Sequence, residues 1–259
     1  MRGFMQRRRM LGQVFLINTG VAEAEAEHAH GKVVLEIGPG KGILTSRLCK
    51  NAKRVIAVEK DRRLYELLKT NGEMENLKLI NKDILETGDE ELELDKIDIV
   101  ISNVPYSISG KIIEWLWNKR KSAVLCLQKE FVEHMMAGEG TEKYSHLSVM
   151  SALLFRVVEI MRVPRNNFRP IPKVDSAVIY IEPKNNQISQ EQRNIIKALM
   201  IHKKKTVKNA LVDSSSQLGK SSEYLKRVGE KLDKRDERVF RLSPIELLDL
   251  SKAILNQKS

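Results

Sequence analysis

Residues 33–38 (Val-Val-Leu-Glu-Ile-Gly) form an apolar run that stops at a glycine, and four more short runs follow at 55–59, 77–80, 97–102 and 123–127. Between them the apolar positions fall at helical intervals: at 43–50, through Tyr65, Leu67 and Leu68, and at 111–117. Short buried runs alternating with helical segments predict an α/β fold, a parallel sheet with helices on both faces. Ligands of such sheets sit outside the C-terminal ends of the strands. The chain places Gly38, Glu59, Asp83 and Asn103 at four of those ends.

The pattern then changes. Helix is expected at 131–137 and again at 144–155, and strands at 157–163 and 176–181 flank the segment Phe168-Arg169-Pro170-Ile171-Pro172-Lys173. Two antiparallel strands added to a parallel sheet are a common extension. Beyond about residue 185 strand-like runs stop. A helix is expected at 189–201 and a second, with a basic face, at 203–211. Ser243-Pro244-Ile245-Glu246 reads as a capping box with proline at the first helical position. We therefore expect a larger domain at 1–184 and a small helical domain at 185–259.

Composition narrows the class. Apolar residues at 42% and charged residues at 31% describe a globular chain with enough apolar material for a core, not a disordered one. No apolar stretch approaches the roughly 20 residues needed to span a bilayer. The basic start is followed by no apolar segment, so no secretory signal is expected. Arg2, Arg7, Arg8 and Arg9 come with no acid, as in a mitochondrial presequence, but only about ten residues precede the first motif, which makes that the less favoured reading. Cys49 and Cys126 are far apart and read as buried reduced thiols, which fits a cytoplasmic protein without a metal site. The formal charge of +11 favours a phosphate backbone as partner. Candidate phosphate contacts are Lys119, Arg120 and Lys121, and Lys203, Lys204 and Lys205; a solvated basic surface is the competing reading.

Two motifs carry the chemistry. Glu36-Ile37-Gly38-Pro39-Gly40-Lys41-Gly42 is a glycine turn between a strand and a helix, where backbone amides approach a ligand closely. Its spacing is not the G-x-G-x-x-G of dinucleotide enzymes, which favours S-adenosylmethionine over NAD. Glu59 is placed to accept from ribose hydroxyls and Asp83 from the donor's adenine amine. The second motif is Asn103-Val104-Pro105-Tyr106. An adenine amine delocalises its lone pair into the ring and resists alkylation. An Asn oxygen and a backbone carbonyl accepting its N–H bonds would aim that lone pair at a methyl donor. Pro105 fixes the carbonyl's direction, and Tyr106 offers a face for the base to stack on.

With these residues in view, the chain resembles the ribosomal RNA adenine dimethyltransferase family of the KsgA type. The resemblance runs from Leu11-Gly12-Gln13-Val14-Phe15-Leu16 through both motifs, Leu127-Gln128-Lys129-Glu130, Tyr144-Ser145-His146-Leu147-Ser148-Val149 and 168–178 to the basic segment 202–211. It implies a Rossmann-like S-adenosylmethionine-dependent methyltransferase domain followed by a small helical, RNA-binding domain. The implied reaction places two methyl groups on each of two adjacent adenosines in a hairpin near the 3′ end of small-subunit rRNA, on an immature small subunit, by a monomer. Carried over by position, Val14, Leu16, Gly38, Gly40, Glu59, Asp83 and Asn103 would contact the donor. Asn103, Pro105 and Tyr106 would hold the target base, with Phe168 closing its other face. Val14 departs from the polar residue usual in the family, so a side-chain hydrogen bond there is missing or passes to the backbone. Two rivals share parts of this pattern: a large-subunit rRNA or DNA adenine methyltransferase, and a noncatalytic assembly factor that keeps the fold.

Overall fold

The computed structural model describes residues 14–70 and 74–257. The stretch Leu11, Gly12 and Gln13, which opens the family resemblance, and the arginines before it lie outside the described residues. Two compact units emerge: Met1–Val132 with Val157–Pro183, and Glu133–Arg156 with Lys184–Ser259. Sequence composition places one boundary, at 184. The backbone contacts group 133–156 with the C-terminal helices as well, so the chain passes between units three times.

In the first unit the strands are β1 (Phe15–Leu16), β2 (Val33–Ile37), β3 (Arg54–Val58), β4 (Leu77–Ile80), β5 (Ile99–Asn103), β6 (Ser122–Gln128), β7 (Phe155–Val163), β8 (Phe168–Arg169) and β9 (Ser176–Pro183), β7 starting just before the unit does. Seven of them form one sheet in the order β4-β3-β2-β5-β6-β9-β7. From β4 to β6 every pairing is parallel, and β9 runs antiparallel to β6. This is the expected α/β architecture with an antiparallel extension. The five central runs carry apolar residues on both faces because both faces are covered. Val34, Val55, Ile99 and Val124 pack on one side, Leu35, Ile56, Val100 and Leu125 on the other, all essentially inaccessible.

Chain order runs outward from β2 to β4 and then returns to β5 beside β2. That reversal is the switch point at which open α/β sheets leave a crevice. The Ser102 hydroxyl, fully buried, donates to the Ile37 carbonyl at 2.6 Å and ties the two strand ends together. Glu36, Gly38 and Asn103 are thereby brought to one place.

β1 and β8 form a separate antiparallel pair that sequence periodicity did not suggest, with Leu16 opposite Phe168. Two-residue strands are too short to show a period of two.

The second unit is helical: His146–Leu154, Gln190–Ile201, Val207–Asp213, Ser222–Glu230 and Pro244–Leu255. Ser189 and Gln192 close a capping box on the second of these, and Ser243 and Glu246 close the expected one on the last. Lys203, Lys204 and Lys205 do not lie on a helix as expected; the helix begins at Val207, with Thr206 as its extended N-cap. Lys205 donates its backbone N–H to the His202 carbonyl, closing a turn instead. Among the described residues no helix is long and apolar enough to cross a membrane.

Candidate active site

The glycine turn adopts the backbone its sequence demands. Gly38, Gly40 and Gly42 have φ of 66°, 61° and 84°, a region in which a side chain is strained. Space is short as well as conformation. A Cβ on Gly40 would lie 3.0 Å from the Phe15 ring, and one on Gly42 would lie 2.6 Å from Leu68. Gly42 is the N-cap of the helix Ile43–Asn51, so the turn leads directly into the positive end of a helix.

In front of this turn lies a cleft that opens to solvent. Its walls include Val14, Leu16, Gly38, Gly40, Glu59 and Asn103, six of the seven positions expected to meet the donor. Pro105 lines it too, as does Glu36. Val14 contributes an apolar, half-buried side chain.

Glu59 is held by the backbone. Its Oε2 accepts from Gly40 N at 3.1 Å and its Oε1 from Asp61 N at 2.8 Å. Each carboxylate oxygen keeps a further lone pair for a ligand hydroxyl. Burial raises its pKa, against backbone bonds from Asp61, Gly40 and Lys60 that lower it. Asp83 stands apart from the cleft lining. Its Oδ1 caps Leu85 N at 3.0 Å and its Oδ2 pairs with Lys60 at 2.6 Å, which holds the acid below its ordinary value. Lys60 is largely exposed, so this partner can swing away.

Asn103 ends β5. Its Nδ2 donates to Glu25 Oε2 at 3.0 Å, while its Oδ1 is buried without a hydrogen-bond partner. An orphaned buried acceptor costs roughly 1–3 kcal/mol, so its presence in a cleft wall marks a place for an incoming donor. Glu36, at the end of β2, likewise has an unpartnered Oε2, and burial pushes its pKa up to about 8. Sequence reasoning missed Glu25. The available signal was its spacing: Ala22, Glu25, Ala26 and Ala29 form one buried helical stripe, and a carboxylate on such a stripe needs a reason.

Tyr106 is half-buried beyond Pro105, and its hydroxyl is 2.7 Å from the buried Ser176 Oγ. Burial raises its pKa to about 12, so it stays a neutral phenol. Phe168 is placed differently from the expectation. Its ring is 3% exposed and belongs to the apolar cluster with Leu16, Ala22 and Val178. For Phe168 to close over a base, as the family resemblance implies, this packing would have to open.

The basic clusters divide. Lys119 pairs with Asp89 at 2.5 Å, and Lys121 donates to the Ile97 carbonyl at 2.8 Å. Arg120 is the left-handed residue (φ 55°) that ends the helix Ser109–Lys119. Lys203 donates to the carbonyls of Glu142 and Tyr144, and Lys205 pairs with Asp213. Lys204 is exposed and lines a groove in the second unit. That groove also holds Lys205, Lys208, Lys226, Arg235 and Arg238 against Asp213, Glu230 and Asp236, six cationic side chains to three acidic ones. Lys208, Lys226, Arg235 and Arg238 were missed because they are scattered in sequence and converge only on folding.

The model of the family described as ribosomal RNA adenine dimethylase matches residues 4–239 of this chain. The chain belongs to that family. Its similarity extends to individual members at full length. It is 38% identical to the "Probable ribosomal RNA small subunit methyltransferase A" of Thermococcus gammatolerans, covering 96% of this chain and 92% of that one. With the protein of the same name from Methanopyrus kandleri it shares 39% identity over 95% of this chain and 92% of the other. A dimethyladenosine transferase from Plasmodium falciparum superposes with a TM-score of 0.75 at 30% identity, over 91% of this chain and 95% of that one. The 23S rRNA methyltransferase ErmE superposes at 0.61 with 22% identity, over 93% of this chain and all of that one, and shows the shared fold. The Rossmann-like methyltransferase fold expected for the family is thus the one observed.

Proposed function

We propose that this protein transfers methyl groups from S-adenosylmethionine to the exocyclic amines of two adjacent adenosines near the 3′ end of small-subunit rRNA. Full-length identity to proteins named as small-subunit methyltransferases supports the substrate. The observation that carries the chemistry is the orphaned Asn103 oxygen at the switch-point cleft.

The cleft fits the donor on its own terms. A left-handed glycine turn excludes side chains where a ligand's backbone-side edge would lie, and a buried acid follows the next strand. When bound, S-adenosylmethionine supplies an electrophilic methyl on a sulfonium. Glu59 would hold ribose hydroxyls, with Gly38 and Gly40 giving close backbone approach and Leu16 and Val14 an apolar wall. Asp83 would reach the adenine end after Lys60 swings away.

On the substrate side, the base leaves its stack at a cost of a few kcal/mol, and stacking on Tyr106 returns about 1–3 kcal/mol. Asn103 Oδ1 and the neighbouring backbone carbonyl accept the two amine N–H bonds. The nitrogen lone pair is then directed out of conjugation toward the methyl. The proton left on nitrogen passes to water, so catalysis is positioning and electrostatics. The exposed cations of the second-unit groove would hold rRNA phosphates. We place the reaction in the cytoplasm, on immature small subunits, by a monomer. Radiolabelled donor with separated, undermethylated ribosomal subunits tests the reading: incorporation into the small subunit supports it, and incorporation confined to the large subunit contradicts it.

A further inference from the structure

We propose that Glu25 is a positioning residue for Asn103: its carboxylate grips the amide NH2, so that the carboxamide oxygen is the group left for the substrate amine. This rests on the role of Asn103 proposed above and adds the device that sets its sense. A primary amide has two ends of nearly equal shape and opposite polarity. Only one end can accept an N–H bond from an adenine, and nothing in the covalent structure of Asn103 decides which end faces the cleft.

The surroundings decide it. Glu25 Oε2 lies 3.0 Å from Asn103 Nδ2. If the amide were turned over, its oxygen would face a carboxylate oxygen at that distance, two acceptors with no proton between them. Glu25 is itself 1% exposed, so it has no alternative in water. The helix that carries it, Thr19–Ala26, is fastened at both ends. Asn18 caps it by accepting from Gly20 N at 2.8 Å and Val21 N at 3.2 Å, and Asn51 Nδ2 donates to the Ala26 carbonyl at 3.0 Å. A side chain on so fixed a helix is a fixed reference for the amide.

Burying a carboxylate costs free energy, and burial pushes the Glu25 pKa up to about 8 while the bond from Asn103 pulls it down. The titratable groups that bear on it are Glu36 on β2 and the Cys126 thiol on β6, the latter directly opposite Asn103 in the sheet. When ionised, Glu25 can only accept, and the amide has one permitted sense. When protonated, it could instead donate to a turned-over Asn103 oxygen, and the sense is no longer enforced. Turnover therefore rises with pH as Glu25 ionises. A glutamine at this position would remove the titration while leaving an acceptor for the amide.

The test uses the full chain, small subunits lacking the modification, labelled donor, calorimetry for donor binding and a melting curve for each variant. Glu25→Leu keeps an equivalent side-chain volume but removes the acceptor. It should lower kcat by about tenfold or more with donor Kd changed less than about threefold. Glu25→Gln should stay within about threefold of the parent at pH 7 and lose the rise in kcat toward pH 8 and above. An unchanged kcat in Glu25→Leu, or a parental pH profile in Glu25→Gln, overturns the proposal. So does a parallel loss of donor affinity and turnover in both variants, because that is the mark of a merely structural acid. Asn103→Ala separates the two levels. If it is inactive while Glu25→Leu is fully active, only the positioning role fails. If Asn103→Ala is itself fully active, the underlying reading fails with it.

Discussion

At the scale of the residue, the place of Asn103 in the cleft wall was legible in the sequence, because it follows directly on a buried strand. Asn103→Ala should lower turnover on the order of 100-fold, the size seen when one preorganised electrostatic partner is removed. Donor affinity measured by calorimetry should change little if the side chain serves the amine. Tyr106 carries a prediction the fold sharpens. Stacking needs only the ring, so Tyr106→Phe should turn over within a few-fold of the parent. It loses the bond to Ser176, however, and leaves that hydroxyl buried, at a stability cost of about 1 kcal/mol in a denaturant titration. Tyr106→Ala should instead raise the rRNA KM, by the roughly 1–3 kcal/mol a stacked base is worth. What sequence could not give was commitment. Asp83 and Lys121 look available on paper, and folding assigns Asp83 to Lys60 and Lys121 to the Ile97 carbonyl. Nor does sequence show that Phe168 packs into the apolar cluster.

At the scale of the element, the central strands were readable because burial on both faces leaves uninterrupted apolar runs, which few other structures produce. The glycine turn was readable for a steric reason that the geometry now makes specific. Gly42 combines φ of 84° with a Cβ position 2.6 Å from Leu68, itself buried. Gly42→Ala should therefore cost about 1–3 kcal/mol and lower Tm by several degrees. Gly88 caps a short helix with ordinary extended backbone and open space around it. Gly88→Ala is the control, within about 1 kcal/mol of the parent. The β1–β8 pair escaped notice because two residues carry no period. The start of the helix at Val207 was misplaced because lysines have good helix propensity, whereas Thr206 as N-cap and the turn closed by Lys205 end the basic run before the helix begins.

At the scale of the whole chain, a charge of +11 suggested a polyanionic partner without locating it. The reason is that many of the cations are spent internally. Glu93 alone draws Arg54, Lys78 and Lys96. Among the described residues the side chains of Lys204 and Lys226 make no ion pair or hydrogen bond, and both lie in the second-unit groove. Lys204→Gln with Lys226→Gln should weaken rRNA binding and reduce the slope of log K against log salt by about 1 for each phosphate no longer neutralised. Lys119→Gln with Lys121→Gln should leave that slope unchanged, because one head is paired with Asp89 and the other with a carbonyl.

The measurement closest to the centre of this account is mass spectrometry of nuclease-digested small-subunit rRNA after incubation of undermethylated subunits with the purified chain and isotopically labelled S-adenosylmethionine. The expected product is labelled adenosine carrying two methyl groups on its exocyclic amine, at two neighbouring positions near the 3′ end, formed on the order of 100-fold more slowly when Asn103 is alanine. Label on a ring nitrogen, on ribose, or on a different nucleoside would contradict it.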